Sequence, residues 1–335
     1  MKVLAIETTC DETAAAVVES GPRVLSDVVF SQVAEHAPYG GVVPEIASRS
    51  HVEQLTAVIE DALQRSGLEP DQLDAVAVAH RPGLIGALMV GVTTAKALAW
   101  AWELPLIGVN HLEAHLESAA LGGHDVTGPC IGVVLSGGHT DMYRVDGDGN
   151  SRWLGGTRDD AIGEAFDKVS AVLGLGYPGG PAVEKAALEG DGSAVKLPRT
   201  LLEDDSLDFS FSGIKTAVLY SWRGANAAHP GRAPGAPEPE DICASFQQAV
   251  FDVIAEKIRR ACRQESLNTV LLGGGVTANA ALREGLADRL GERIELLFPP
   301  PRFATDNAAM IGALALRRLE KGERDSLELV AEAQP

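Results

Sequence analysis

Positive charge is the scarcest resource in this chain: 28 lysines and arginines face 47 aspartates and glutamates, for a formal net charge of −19. Such a surface repels nucleic acids and anionic membranes at long range, so any nucleic-acid partner needs a local basic patch or a helper protein. Aromatic residues are only 5% of the chain, which argues against a base-stacking platform of the kind single-strand binders use. The four cysteines, Cys10, Cys130, Cys243 and Cys262, form no Cys-x-x-Cys pair, which excludes a zinc ribbon and a dithiol redox motif. Long apolar runs are lacking too. The most apolar charge-free stretch, Pro82 to Ala95, falls short of the roughly 20 residues that span a bilayer. Met1 to Glu7 is too short an apolar run for a signal peptide. These absences point to a cytoplasmic protein with reduced thiols and, on charge alone, small ligands.

What is present is glycine and pattern. At roughly 150 residues per domain, a chain of 335 residues predicts about two domains. Its 36 glycines, many clustered, suggest tight turns and close backbone approach to a ligand. Val3–Glu7 reads as a buried strand, Thr8–Thr13 as a polar turn and Ala14–Glu19 as a return strand. The plan recurs with Cys130–Leu135, the turn Ser136-Gly137-Gly138-His139-Thr140, and Asp141–Val145. One design used twice predicts a duplicated, two-lobed architecture. Helical periodicity marks Ser48–Ser66, closed by Gly67, and Gly86–Trp102; Leu73–Ala79 and Leu104–Val109 read as strands. In the second half, Ile162–Leu173, Pro181–Leu188, Ile242–Arg263 and Ala278–Leu290 read as helices. Thr269–Leu272 and Arg293–Phe298 read as strands, and Asp306–Leu319 as a closing helix. The pattern is α/β, with helices packed on mixed sheets. The lobes are expected over residues 1–128 and 129–305, with a closing helix, 306–322, packing back on the first. Residues 223–240, with four prolines, read as a flexible insertion, and the tail beyond Asp325 as frayed.

The segment His111-Leu112-Glu113-Ala114-His115 carries the sharpest chemical signal. On a helix its two imidazoles share a face about 5–6 Å apart at Cβ, a span one metal ion bridges. It follows a buried strand, where α/β sheets bind ligands. In isolation such a pair is more often two histidines on a solvated helix face. Asp306 is read as an N-cap and also as a carboxylate able to complete a two-His, one-carboxylate site, which suits iron or zinc. The turns Ser136–His139 and Gly273-Gly274-Gly275 have the character of phosphate loops, but match neither the P-loop nor Gly-x-Gly-x-x-Gly. Asn279 is either a nucleotide contact or a local cap. Gly180 lies in the rigid turn Pro178-Gly179-Gly180-Pro181, with Pro181 at a first helical position. Asp159 and Asp160 are expected to stabilise the helix they precede, and Asp167 and Lys168 to be surface charges on it.

The run Ile6-Glu7-Thr8-Thr9-Cys10-Asp11-Glu12-Thr13 resembles the opening of the tRNA N6-adenosine threonylcarbamoyltransferases, formerly O-sialoglycoprotein endopeptidases. So do Tyr39-Gly40-Gly41-Val42-Val43-Pro44-Glu45, His111–His115, Ser136–Thr140, Gly163–Lys168, Tyr177–Pro181, Asp208–Thr216, Gly273–Asn279 and Thr305-Asp306-Asn307, in family order. The resemblance implies an actin-like, Hsp70-like (ASKHA) two-lobed fold with duplicated mixed-sheet lobes. It implies metal ligands at His111, His115 and Asp306, with Fe2+ ahead of Zn2+ as the ion. It places an acyl-adenylate or ATP-type nucleotide against Val134, Leu135, Ser136, Gly137 and Gly138, with Asp167, Gly180 and Asn279 nearby. The implied reaction passes threonylcarbamoyl from threonylcarbamoyl-AMP to N6 of adenosine 37 in tRNAs reading codons that begin with A. The implied partners are tRNA, an inactive paralogue of the same fold (the TsaB type) that dimerises through the first lobe, and a small P-loop ATPase (the TsaE type). Asp11 and Glu12 lie in the first-lobe turn, which is expected to face the same cleft; Asp11 is taken to accept the N6 proton and Glu12 to be structural. With Asp306 taken as part of the second lobe, the metal is expected to tie the lobes together. The departures are His80-Arg81 before Pro82-Gly83-Leu84, where the family has a small residue and glycine, and the 223–240 insertion. A kinase or a nucleotide-binding scaffold of the same fold is the alternative. A protease is not, because no glutamate follows the first histidine as His-Glu-x-x-His requires.

Overall fold

The computed structural model describes residues 1–335 except 125, 127, 148, 149, 201, 203, 204 and 335. It divides into two compact units, Met1–Val126 with Pro299–Pro335, and Thr127–Phe298.

In the first unit β1 (Lys2–Glu7), β2 (Glu12–Glu19) and β3 (Arg23–Ser31) form an antiparallel meander. A single turn α1 (Val33–His36), helix α2 (Pro44–Ser66), β4 (Ala75–Arg81), α3 (Ile85–Ala101), β5 (Leu106–Asn110) and α4 (His111–Glu117) follow. β4 pairs parallel with both β1 and β5, giving the order β3-β2-β1-β4-β5. β1 and β4 are buried on both faces, which is why their sequences are almost unbroken apolar runs. Leu4, Ile6, Val76 and Val78 meet Leu55, Ile59 and Val92 of α2 and α3.

The second unit repeats the plan. β6 (Cys130–Leu135), β7 (Thr140–Val145) and β8 (Ser151–Gly156) are antiparallel. Then come α5 (Ile162–Leu173), α6 (Gly179–Ala187), α7 (Ser212–Arg223), α8 (Pro239–Glu265), β9 (Thr269–Gly273), α9 (Ala280–Leu290) and β10 (Glu295–Leu297). β9 pairs parallel with β6 and β10, so the order β8-β7-β6-β9-β10 matches that of the first unit strand for strand. The duplication read from two strand-turn-strand patterns is therefore a duplication of whole sheets.

The chain then returns to the first unit as α10 (Ala308–Glu320), packed on the sheet face opposite α2 and α3. Small residues on that face, Ala5, Ala14 and Ala16, allow a close approach. A Cβ on Gly312 would stand 2.6 Å from Val18 Cγ2 and 3.3 Å from Ala5 Cβ, so glycine sets how deeply α10 sits.

The structure departs from the sequence expectations at several points. β3, β8 and α7 lack a clean period and were not anticipated. The Arg223–Glu240 segment is not a free insertion: Ala233 is buried and donates its N–H to Trp222 O at 2.7 Å, and Arg232 stacks on Trp222 and pairs with Glu238. The tail does not fray. Asp325 N donates to Leu106 O at 2.8 Å, and Asp325 Oδ2 accepts from Gly108 N at 2.7 Å, covering the edge of β5. Farther on, Glu332 N donates to His80 O, and Glu332 pairs with Arg81 at 3.3 Å, which gives the departing arginine an intramolecular partner. Pro181 is the third residue of α6 rather than the first. Asp159 does not cap α5; it accepts from Phe211 N, Ser212 N and both serine hydroxyls at the start of α7, while Asp160 pairs with Lys168 and Lys215.

Replacing Gly312→Leu should push α10 off the sheet. We expect a loss of about 1–3 kcal/mol, read as a lower midpoint in thermal unfolding. An unchanged midpoint would show that the α10 seat is not packed as described.

Candidate metal centre and nucleotide loops

The centre is built at the carboxyl end of β5. Asn110, the last strand residue, accepts from Leu112 N at 2.8 Å and Glu113 N at 3.3 Å, which starts α4 abruptly. His111 and His115 then lie one turn apart on a buried face, 5% and 0% exposed, with ring centroids 4.5 Å apart and planes at 74°. The solvated-helix reading of this pair is thereby excluded.

Asp306 meets them from the segment leading into α10. Its Oδ1 is 3.1 Å from His115 Nε2 and 3.7 Å from His111 Nε2, and the three ligand atoms fall within 4.8 Å of one another. Asn307, not Asp306, caps α10: its Oδ1 accepts from Met310 N at 2.9 Å, and its Nδ2 donates to Thr305 O at 2.7 Å. That clamp fixes the turn in which the Asp306 carboxylate faces the histidines. All three residues belong to the first unit, so the expected tie between lobes gives way to a centre held within one unit.

Glu7, at the end of β1, is fully buried and orients the site. Its Oε2 lies 2.9 Å from His111 Nδ1 and its Oε1 accepts from Thr9 N; Thr9 Oγ1 is 3.3 Å from the same Nδ1. With Nδ1–H donated to Glu7, His111 turns Nε2 toward Asp306 and His115, the carboxylate–histidine arrangement typical of metal sites. Burial opposes a charge on His111, but the carboxylates of Glu7 and Asp306 outweigh it and raise its pKa to about 9. Burial and the neighbouring His111 lower that of His115.

These residues fit a divalent ion. Both ring nitrogens of His115 are buried without a hydrogen bond, despite the nearness of Asp306. Leaving buried polar atoms unsatisfied costs about 1–3 kcal/mol each, and an ion on Nε2 would relieve one of them. Two imidazoles and one carboxylate leave coordination positions open. Asp306, 18% exposed at its side chain, marks the open side.

The first-lobe turn stands against this centre. Burial, then Asp306 and Asp11, raise the Glu12 pKa well above the usual carboxylate range, and Ser31 Oγ donates to its Oε1 at 3.3 Å. Asp11 is half-buried, and its carbonyl accepts from Gln32 N at 3.0 Å.

In the second unit the glycine turns sit side by side, because Val134 pairs with Gly273 in the parallel register. A Cβ on Gly163 would lie 2.7 Å from Gly137 Cα and 2.8 Å from Ser136 O; one on Gly274 would lie 2.5 Å from Leu135 O. Two glycines thus wall the Leu135–Gly137 backbone, while Gly137, Gly138 and Gly180 face open space. Ser136 Oγ accepts from His139 N at 3.1 Å and closes the turn. Asp167 is no simple surface charge: its Oδ1 accepts from Gly179 N at 2.7 Å and holds the glycines that start α6. Asn279 caps α9 through Leu282 N at 2.8 Å and donates to Gln247 Oε1 at 3.0 Å, so both ends of its amide have protein partners.

Glu7, Thr9, Asn110 and Asn307 were not read as site residues from sequence. A carboxylate ending an otherwise apolar strand was the signal available for Glu7.

The duplicated sheets define an actin-like, Hsp70-like protein, here with a candidate metal centre. The same fold is seen in component A of (R)-2-hydroxyglutaryl-CoA dehydratase from Acidaminococcus fermentans, at a TM-score of 0.58 and 13% identity, over 96% of this chain and 99% of that one. Residues 23–313 match the tRNA N6-adenosine threonylcarbamoyltransferase family, and the chain belongs to it. Relatives bearing that name include one from Anaeromyxobacter sp. strain Fw109-5, 49% identical over 99% of this chain and 98% of its own. Another, from Trichlorobacter lovleyi, is 51% identical over 99% of this chain and 96% of its own.

Removing the Glu7 charge tests the centre. Glu7→Gln should weaken metal binding by about 10–100-fold, measured by chelator competition. Wild-type affinity in that variant would remove Glu7 from the site.

Proposed function

We propose that this chain, in the cytoplasm, transfers a threonylcarbamoyl group from threonylcarbamoyl-AMP to N6 of adenosine 37 in tRNAs reading codons that begin with A. Family membership gives the reaction class. The observation that carries the chemistry is the His111–His115–Asp306 cluster, whose ligand atoms fall within 4.8 Å of one another with both histidines buried. No observation favours the kinase or scaffold alternative.

An adenine exocyclic amine is a weak nucleophile, so the donor carbonyl must be made more electrophilic. A divalent ion held by His111, His115 and Asp306, Fe2+ ahead of Zn2+ as the family resemblance implies, would supply Lewis acidity toward donor oxygens. The residues do the rest. Glu7 holds the His111 tautomer. The backbone of Val134, Leu135, Ser136, Gly137 and Gly138, kept open by Gly163 and Gly274, is a cradle suited to the adenylate phosphate. Asp167 fixes the glycines before Gly180, and Asn279 orders the start of α9. Asp11 receives the N6 proton as the amine attacks and AMP departs. Glu12, whose carboxyl is pushed above the usual carboxylate range by burial and by Asp306 and Asp11 and which accepts from Ser31 Oγ, is given a structural part.

The partners are an inactive paralogue of the same fold and a small P-loop ATPase. Val52 on α2 and Ile85 and Met89 on α3 are 65%, 49% and 56% exposed, apolar side chains of the first unit that the paralogue would cover.

The double variant His111→Ala, His115→Ala should lose bound metal and transfer together. Full metal stoichiometry by elemental analysis would sink the assignment. Asp11→Asn should keep its metal and lose about 10²–10⁴-fold in single-turnover transfer of labelled threonine to tRNA. Wild-type turnover there would take Asp11 out of the mechanism.

A further inference from the structure

A buried polar network behind the Cys10–Asp11 turn has no part in the reading above. Thr13, Gln32, His36 and His51 are each fully buried in the first unit. Their hydrogen bonds have one consistent direction. Val43 N can only donate, and it lies 3.3 Å from His36 Nδ1, so that nitrogen accepts. His36 therefore carries its proton on Nε2 and donates to Gln32 Oε1 at 3.2 Å. The Gln32 amide nitrogen then faces Ala47 O, Thr13 Oγ1 and His51 Nδ1, at 3.5, 3.5 and 3.4 Å. At the inner end Cys10 O can only accept, so His51 donates through Nε2 at 3.0 Å. Its Nδ1 accepts from Thr13 Oγ1 at 2.7 Å. Each imidazole thus uses one ring nitrogen as donor and the other as acceptor.

The inner end grips the turn twice. His51 holds the carbonyl of Cys10, and the Gln32 backbone N–H holds that of Asp11 at 3.0 Å. A short polar turn between β1 and β2 would otherwise set the Asp11 carboxylate loosely. We propose that His51 is a positioning residue for the transfer, seating the Cys10–Asp11 turn with Gln32 and His36 behind it. The inference rests on the reading of Asp11 as the group that takes the N6 proton.

Two substitutions separate the bonds that His51 makes. Glutamine can place a donor where Nε2 was and keep the bond to Cys10 O. Asparagine reaches only the Nδ1 side and loses that bond. Cys10 is the one cysteine of the four that is not buried, so its alkylation rate reports the turn without any chemistry at the centre. In His51→Asn, Cys10 should alkylate about tenfold faster, and kcat should fall about 10–100-fold with KM for the donor and metal stoichiometry unchanged. His51→Gln should restore most of both. Wild-type alkylation and turnover in the Asn variant, or equal loss in both variants, would overturn the proposal. Should His51→Asn fail to fold, Thr13→Val removes the hydroxyl that orients His51, and faster Cys10 alkylation is again expected; an unchanged rate refutes the network. If the wild-type chain with its partners transfers nothing, the reading of the reaction fails, while the alkylation rates still decide the role of His51.

Discussion

A fully buried carboxylate at the end of the central strand is the constraint on which the rest of the first unit turns. Glu7 is 0% exposed. A lone buried carboxylate is tolerated only with hydrogen-bond donors around it. Glu7 finds them in Thr9 N, two residues on, and in His111 Nδ1, at the far end of β5. The first partner makes the chain turn sharply after β1. The second requires β1, β4 and β5 to end level, which their parallel register provides. The histidine pair is thus placed by the sheet, and its ring orientation by the strand that starts the molecule.

The two units share one topology and use its carboxyl end differently. In the first, the turn after β1 is dense in side-chain oxygen, with Thr8, Thr9, Asp11 and Glu12, and Thr9 Oγ1 lies 3.3 Å from His111 Nδ1. Such a turn suits proton transfer and metal chemistry. In the second, the turn after β6 carries Gly137 and Gly138, with Gly163 close against Ser136 and Gly137 and Gly274 close against Leu135. Two consecutive glycines leave backbone amides uncovered, the groups that bind phosphate oxygens. Opposite use of glycine thus leaves the first unit with side-chain oxygens at this turn and the second with uncovered backbone, the division that the proposed function uses.

What was legible in the sequence follows the same physics. β1, β4, β6 and β9 are buried on both faces, so their apolar runs announce them. β3 and β8 are sheet edges, with residues such as Arg23, Ser151 and Arg152 facing solvent, and their patterns carry no clear period. The histidine pair was readable as a pair, but its burial depends on packing by α10, which no local pattern encodes. Asp306 and Asn307 are both good capping residues, so sequence alone could not say which would cap and which would face the histidines. The tail was misread because its contacts are single and distant: Asp325 with Gly108, Glu332 with Arg81. Neither leaves a period to detect.

The acidic balance also acquires a structural meaning. Arg144 and Arg152 both bind Glu265, Arg199 and Arg289 both bind Asp252, and Arg259 and Arg260 both bind Glu256. These guanidinium groups are already satisfied by carboxylates of the same unit. For tRNA phosphates to use them, those pairs would have to break, and each phosphate contact would replace an existing ion pair rather than add to a bare charge. In a chain of net charge −19, such exchange yields little net attraction. A partner that contributes fresh positive charge changes that balance at once, because its phosphate contacts displace no internal pairs. The proposed partners thus have a physical counterpart in how these arginines are engaged within the chain.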